Sequence, residues 1–224
     1  MAAQFRIEGC PVHVVELAAA AQIEPTADRD FFVAVHGTEP TRRQEVYDAF
    51  GRLVAHGQFM PDGSFRGNNR HVWKKLNFCS SKKVLHYGRD LLIQGTKTQL
   101  PEPVRSAKME QGGAVLAATS GGLYYYPSGE TYAIQRVIPA LPEVVSIDAP
   151  PPETIAALPE RAANAWLVAS VKGVHLLESN LKTPQSCGPI WLETAPIPRA
   201  IAAYWSAEGG IVAFAQKKLQ SSVV

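Results

Sequence analysis

Ala114-Val-Leu-Ala-Ala-Thr-Ser-Gly-Gly-Leu-Tyr-Tyr-Tyr-Pro-Ser-Gly129 lies without a gap over Ala165-Trp-Leu-Val-Ala-Ser-Val-Lys-Gly-Val-His-Leu-Leu-Glu-Ser-Asn180, 51 residues further on. Each copy reads as an apolar strand, a tight turn containing glycine, a second apolar strand and a polar turn. A weaker third copy runs from Gly210 to Val224, with Lys217-Lys218 at its turn. A fourth runs from Lys82 to Gly95, with Gly88-Arg89-Asp90 at its turn. Hairpins repeated at periods of tens of residues point to a blade-based or stacked β architecture.

Working outward, Val104–Glu110, Ala114–Thr119, Gly122–Tyr126 and Glu130–Val137 make four successive strands, the content of one propeller blade. The pattern resumes with Glu143–Asp148, Ala165–Val171, Gly173–Glu178 and Pro189–Glu193, around a Pro150-Pro-Pro152 insertion. Towards the C-terminus come Arg199–Ser206, Gly210–Gln216 and Lys218–Val223. The first hundred residues are less regular. Strands are expected over 4–8, 11–17, 31–36, 52–59, 71–78, 82–87 and 90–95, while Thr41–Phe50 stays open between helix and strand. Counted from Pro11, sets begin near residues 11, 71, 104, 143 and 199. The C-terminal set is one strand short, and Gln4–Glu8 is one strand too many. Pairing Gln4–Glu8 with 218–223 would close a ring of five and remove two exposed sheet edges. The expected fold class is therefore all-β and β-propeller-like, as a single domain over 1–224. Its 10–100 region holds two weakly resolved blades and its 104–224 region the clearer repeats. A β-sandwich or irregular barrel is the alternative.

Composition fits one folded domain, with 46% hydrophobic and 19% charged residues. The three cysteines, Cys10, Cys79 and Cys187, form no CxxC and read as reduced thiols. No apolar run reaches the ~20 residues that a bilayer-spanning helix needs. Arg6 and Glu8 cancel ahead of Val12–Ala21, which His13 and Glu16 interrupt, so no signal peptide is read. The expectation is a protein made in the cytoplasm, with no membrane insertion.

The chain lacks G-x-S-x-G, P-loop, H-E-x-x-H, G-x-G-x-x-G and EF-hand patterns. A propeller glycosidase would need acids recurring at the starts of the innermost strands. Those positions read Val12, Val72, Val104, Val144 and Ala200, so a glycosidase-type hydrolase is only an alternative. The six histidines show no i,i+2 or i,i+4 pair to ligate a metal. No catalytic residue, metal or cofactor is expected. Tyr124-Tyr125-Tyr126 is either an aromatic platform or inter-blade packing.

The net charge of +2 hides an asymmetry. Gly63 to Arg89 contains no acid and carries Arg66, Arg70, Lys74, Lys75, Lys82, Lys83 and Arg89, so the rest of the chain sums to −5. These seven residues are the candidate partner-binding set, for an acidic partner, with nucleic acid as an alternative.

The hairpin at Ala117–Tyr126, the strand from Tyr132 to Ile138 ending in Pro139-Ala-Leu-Pro142, the Ala165–Leu176 hairpin and Ala200-Ile-Ala-Ala-Tyr-Trp205 resemble β-propeller modules of tailed-bacteriophage tail and head-to-tail proteins. The resemblance covers about residues 104–216. It implies a non-catalytic structural part of a virion that binds other protein subunits.

Overall fold

The structure is a computed structural model, and it describes residues 5–19, 21–38, 42–78, 84–127, 135–138, 143–178 and 191–217. The described residues are mostly strand, 55% against 7% helix, which makes the fold all-β. The chain opens with β1 (Phe5–Ile7) and β2 (Cys10–Leu17). Sheet I follows in chain order: β3 (Gln22–Pro25), β4 (Phe31–His36), β5 (Arg43–Asp48), β6 (Leu53–Phe59) and β7 (Phe65–Gly67). A short helix, α1 (Arg70–Lys75), leads to sheet II: β8 (Val84–Tyr87), β9 (Asp90–Ile93) and β10 (Thr96–Gln99). Sheet III holds β11 (Val104–Met109), β12 (Val115–Thr119), β13 (Gly122–Tyr126) and β14 (Gln135–Ile138). Sheet IV holds β15 (Val144–Asp148), β16 (Ala165–Ser170), β17 (Gly173–Glu178) and β18 (Trp191–Ala195), with α2 (Glu160–Ala163) before β16. The last strands, β19 (Ala200–Trp205) and β20 (Ile211–Gln216), join β1 and β2 in sheet V, ordered β1-β2-β20-β19.

The sheets pack face to face on apolar side chains. Sheet II meets sheet III through Leu91, Ile93, Val115 and Tyr124. Sheet III meets sheet IV through Leu116, Leu123, Trp166 and Val168. Sheet IV meets sheet V through Leu167, Leu176, Ile7 and Trp205. Sheet V meets sheet I through Phe214, Phe32 and Tyr47. The other face of sheet I is covered by Val72, Trp73 and Leu76 of α1 and its C-terminal end. Strands such as β12 and β16 are covered on both faces, so they read as continuous apolar runs without alternation.

The aligned hairpins are equivalent. Thr119 pairs with Gly122, and Ser170 pairs with Gly173, across two-residue turns. Both hydroxyls accept a backbone N–H from within the turn, Gly121 N at 3.2 Å and Lys172 N at 3.2 Å. The two turn glycines serve different needs. Gly122 has φ +149. Gly173 is required by close approach, because a Cβ there would lie 2.4 Å from the Ala195 carbonyl oxygen of β18. Gly173→Ala should therefore cost about 1–3 kcal/mol. A urea midpoint equal to that of the parent protein would show that β18 yields freely. The Gly88-Arg89 turn likewise joins β8 to β9, with Tyr87 opposite Asp90.

The N-terminal expectations change in four places. The first set starts at β3, because β2 belongs to sheet V. The segment expected as a strand over 71–78 contains α1, in which Val72, Trp73 and Leu76 fall on one helical face. Trp73 fixes it by an indole N–H bond to Asn68 O at 2.5 Å and an edge contact with Phe65. Thr41–Phe50, left open, contains strand β5. Finally, the N-terminus does join the C-terminal sheet, but through β2, which runs parallel to β20 with Val12 opposite Ile211 and Leu17 opposite Gln216. β1 lies outside it, paired with β2. The expected partner 218–223 lies outside the described residues.

Candidate functional site

The strands β11, β15 and β19 follow one local pattern. Each has a bulge at its second residue, between Val104 and Ser106, Val144 and Ser146, and Ala200 and Ala202. A bulge re-aims the side chain that follows it. Ser106 Oγ accepts the Ile147 N–H at 3.1 Å, and Ser146 Oγ accepts the Ala203 N–H at 3.0 Å. Each serine thus satisfies a backbone donor on the corresponding strand of the next sheet. Buried N–H groups require such partners.

Two residues beyond Ser146 the relay becomes ionic. Asp148 is fully buried. Its Oδ2 accepts the Trp205 N–H at 3.1 Å. Its Oδ1 accepts Arg29 Nη2 at 2.8 Å and lies 3.2 Å from Lys108 Nζ. One carboxylate therefore ties sheet I, through the β3–β4 loop, to sheets III, IV and V. Arg29 is only 6% exposed, has φ +63, and lies over the Tyr204 ring at 5.7 Å. Tyr204 donates to Ile23 O at 3.1 Å, and burial pushes its phenol well above the usual tyrosine range. The sequence reading missed Asp148, Lys108 and Arg29. The signal for the first two was there: Val104-Arg-Ser-Ala-Lys108 aligns with Val144-Val-Ser-Ile-Asp148, with serine in the third place of both. Arg29 carries no local signature.

The basic set is only partly brought together. Arg70, Lys74 and Lys75 are exposed on α1. Arg66 is exposed on β7 opposite Gln58. Strand alternation puts it on the sheet face away from Phe65 and α1. Arg89 is exposed in the β8–β9 turn. Lys82 and Lys83 lie outside the described residues. Lys75 is close enough to Asp30 to pull its pKa down. Burial, followed by Asp28 and Glu208, outweighs it and leaves the Asp30 carboxyl raised.

A third cluster looks catalytic at first sight. Ser170 Oγ lies 2.9 Å from His175 Nε2, and His175 Nδ1 lies 2.9 Å from Thr194 Oγ1. A nucleophile needs access to its substrate, and a base oriented by a third group, most often a carboxylate. Ser170 is fully buried and also holds the turn through Lys172 N, and the third member is a hydroxyl. Burial lowers the His175 pKa, which favours a neutral imidazole within the sheet. The trio pins the β16–β17 turn to β18. His36 lies 3.1 Å from Glu45 Oε2, and His13 makes an edge contact with Phe50. Among the described residues no three His, Cys, Asp or Glu side chains gather as metal ligands. Tyr124, Tyr125 and Tyr126 are all buried, Tyr125 against sheet IV and the other two against sheet II, so the run is packing. Cys10 is buried, and that burial raises its thiol pKa; Cys79 and Cys187 lie outside the described residues. No described helix is long and apolar enough to cross a membrane.

No protein-family model and no curated protein matches the chain. Among solved structures it is similar to an inactive virginiamycin B lyase from Staphylococcus aureus bound to quinupristin, at 8% identity and TM-score 0.38 over 86% of this chain and 66% of that one. PorZ, a surface component of the type-IX secretion system of Porphyromonas gingivalis, is similar at 9% identity and TM-score 0.32 over 93% of this chain and 39% of PorZ. Hsv2 from Kluyveromyces lactis follows at 12% identity and TM-score 0.28, over 85% and 69% of the two chains. This chain thus spans less than two thirds of the first two. The fold description stands on the strand pairing above.

Proposed function

We propose that this chain is a non-catalytic interaction module: five propeller-like blades, closed through β2 and β20, that dock as a subunit of a larger assembly. The observation that carries the docking role is α1. Its apolar side is pinned to sheet I, so Arg70, Lys74 and Lys75 are held outward on a short, anchored helix. A fixed cluster of three cations suits an acidic protein surface. Arg66 and Arg89 would extend the contact around the edges of sheets I and II. The sequence resemblance to phage tail modules makes a virion the first assembly to test. The burial of Ser170 and His175 favours this reading over a hydrolase.

Retention on immobilised poly-L-glutamate tests it, beside a random single-stranded oligonucleotide as the nucleic-acid alternative. The parent protein should bind polyglutamate at low salt and elute as ionic strength passes about 0.15 M. The Arg70→Glu, Lys74→Glu, Lys75→Glu triple variant should keep its circular dichroism spectrum, since surface charge changes cost within about 0.5 kcal/mol each. It should flow through at low salt. Unchanged retention of the triple variant removes α1 as the docking element. Preference for the oligonucleotide over polyglutamate would favour nucleic acid.

A further inference from the structure

We infer that the Arg29–Lys108 pair beside Asp148 is an oxyanion-binding site, filled by a small ligand bearing a phosphate or carboxylate group. Two cationic nitrogens stand within 3.2 Å of one carboxylate oxygen, Arg29 Nη2 at 2.8 Å and Lys108 Nζ at 3.2 Å. The other Asp148 oxygen is occupied by the Trp205 N–H. One negative charge therefore serves two positive ones, and the cluster keeps a surplus charge of one. Arg29 Nη1 is buried without a hydrogen-bond partner. A buried donor left unsatisfied is costly, and for a charged group more so. Lys108 brings three donors to the site, and its side chain is 37% exposed, so the cluster reaches solvent along that side. A guanidinium is a planar fork, and its second nitrogen suits one oxygen of a phosphate or carboxylate whose other oxygen takes the ammonium. The site rests on side chains from the β3–β4 loop and β11 and uses none of the α1 cations, so it is independent of the docking role.

The test uses the full chain and two probes, inorganic phosphate and succinate, at constant ionic strength against sodium chloride. The melting temperature should rise saturably with at least one probe, by about 3–6 °C at tenfold excess over Kd. Phosphate alone marks a phosphate-bearing ligand, succinate alone a carboxylate, and both a general oxyanion site. Lys108→Gln, a change at a half-exposed position, should weaken binding about tenfold, the loss expected for one charge-assisted contact. Phosphate also stabilises proteins by surface exclusion, and that part should survive in the variant. As a second readout, the guanidinium resonances of Arg29 in arginine-labelled parent protein should shift on titration and saturate with the same Kd. A rise that is linear, or equal in Lys108→Gln, with Arg29 resonances unmoved, means an adventitious ion only and overturns the site. So does no response to either probe up to about 10 mM, where binding would be weaker than any useful affinity.

Discussion

Replacing Asp148 by alanine should lower folding stability by about 3–5 kcal/mol, the usual cost of stranding a buried charge. The carboxylate meets Arg29, which is also buried, and it also satisfies the Trp205 N–H. Alanine would leave the guanidinium without its counter-charge and the backbone donor without its acceptor. Asp148→Asn keeps an acceptor for Trp205 N–H and should cost less. Removing both charges, as in Arg29→Met with Asp148→Leu, should cost less than Asp148→Ala alone, because desolvated ions are expensive to strand and cheap to replace together. Because the pair is buried, salt should screen these differences little. Chemical denaturation measures all three. An Asp148→Ala protein within about 1 kcal/mol of the parent would show that the four-sheet tie carries little stability.

Deleting residues 1–17 should abolish cooperative folding. Strand β2 is an interior strand of sheet V, between β1 and β20. Ile7, Val12, Val15 and Leu17 are all buried. Each contributes about 1.5–3 kcal/mol, and together on the order of 6–12 kcal/mol, against a typical total of about 5–15 kcal/mol. The deletion also bares one edge of β20, whose residues Ile211 to Ala215 are buried. An apolar unpaired strand is a template for aggregation. Deleting only 1–8 removes β1 and Ile7 and should cost less, since the parallel β2–β20 pairing stays. Thermal unfolding followed by circular dichroism separates the outcomes. A 1–17 deletion that melts sharply near the parent temperature would mean that sheet V does not need β2.

The hairpin repeats were legible because their information is local. Thr119 to Gly122 and Ser170 to Gly173 each carry the turn hydroxyl and the glycine within four residues, and the flanking apolar runs set the strands. Sheets III and IV could be read for the same reason. The basic run from Gly63 to Arg89 was equally plain as composition. Its layout in space was not, because it crosses a strand, a helix and a turn. Alternation turns Arg66 away from α1, and the helix depends on Trp73 meeting Phe65.

By itself, then, the sequence determined an all-β chain, its paired hairpins, the strand sets that begin near residues 104 and 143, and the presence of one basic stretch. Periodicity, turn residues and charge count are properties of neighbours along the chain. Tertiary structure alone decided that β2 rather than β1 meets β20, that 70–75 is helical, and that Tyr124, Tyr125 and Tyr126 are interior. It also decided that Arg29, Lys108 and Asp148 meet. Those outcomes depend on partners up to 199 residues apart, as in the pairing of Val12 with Ile211. Local preference is weaker than the burial and charge pairing available only after the sheets have packed.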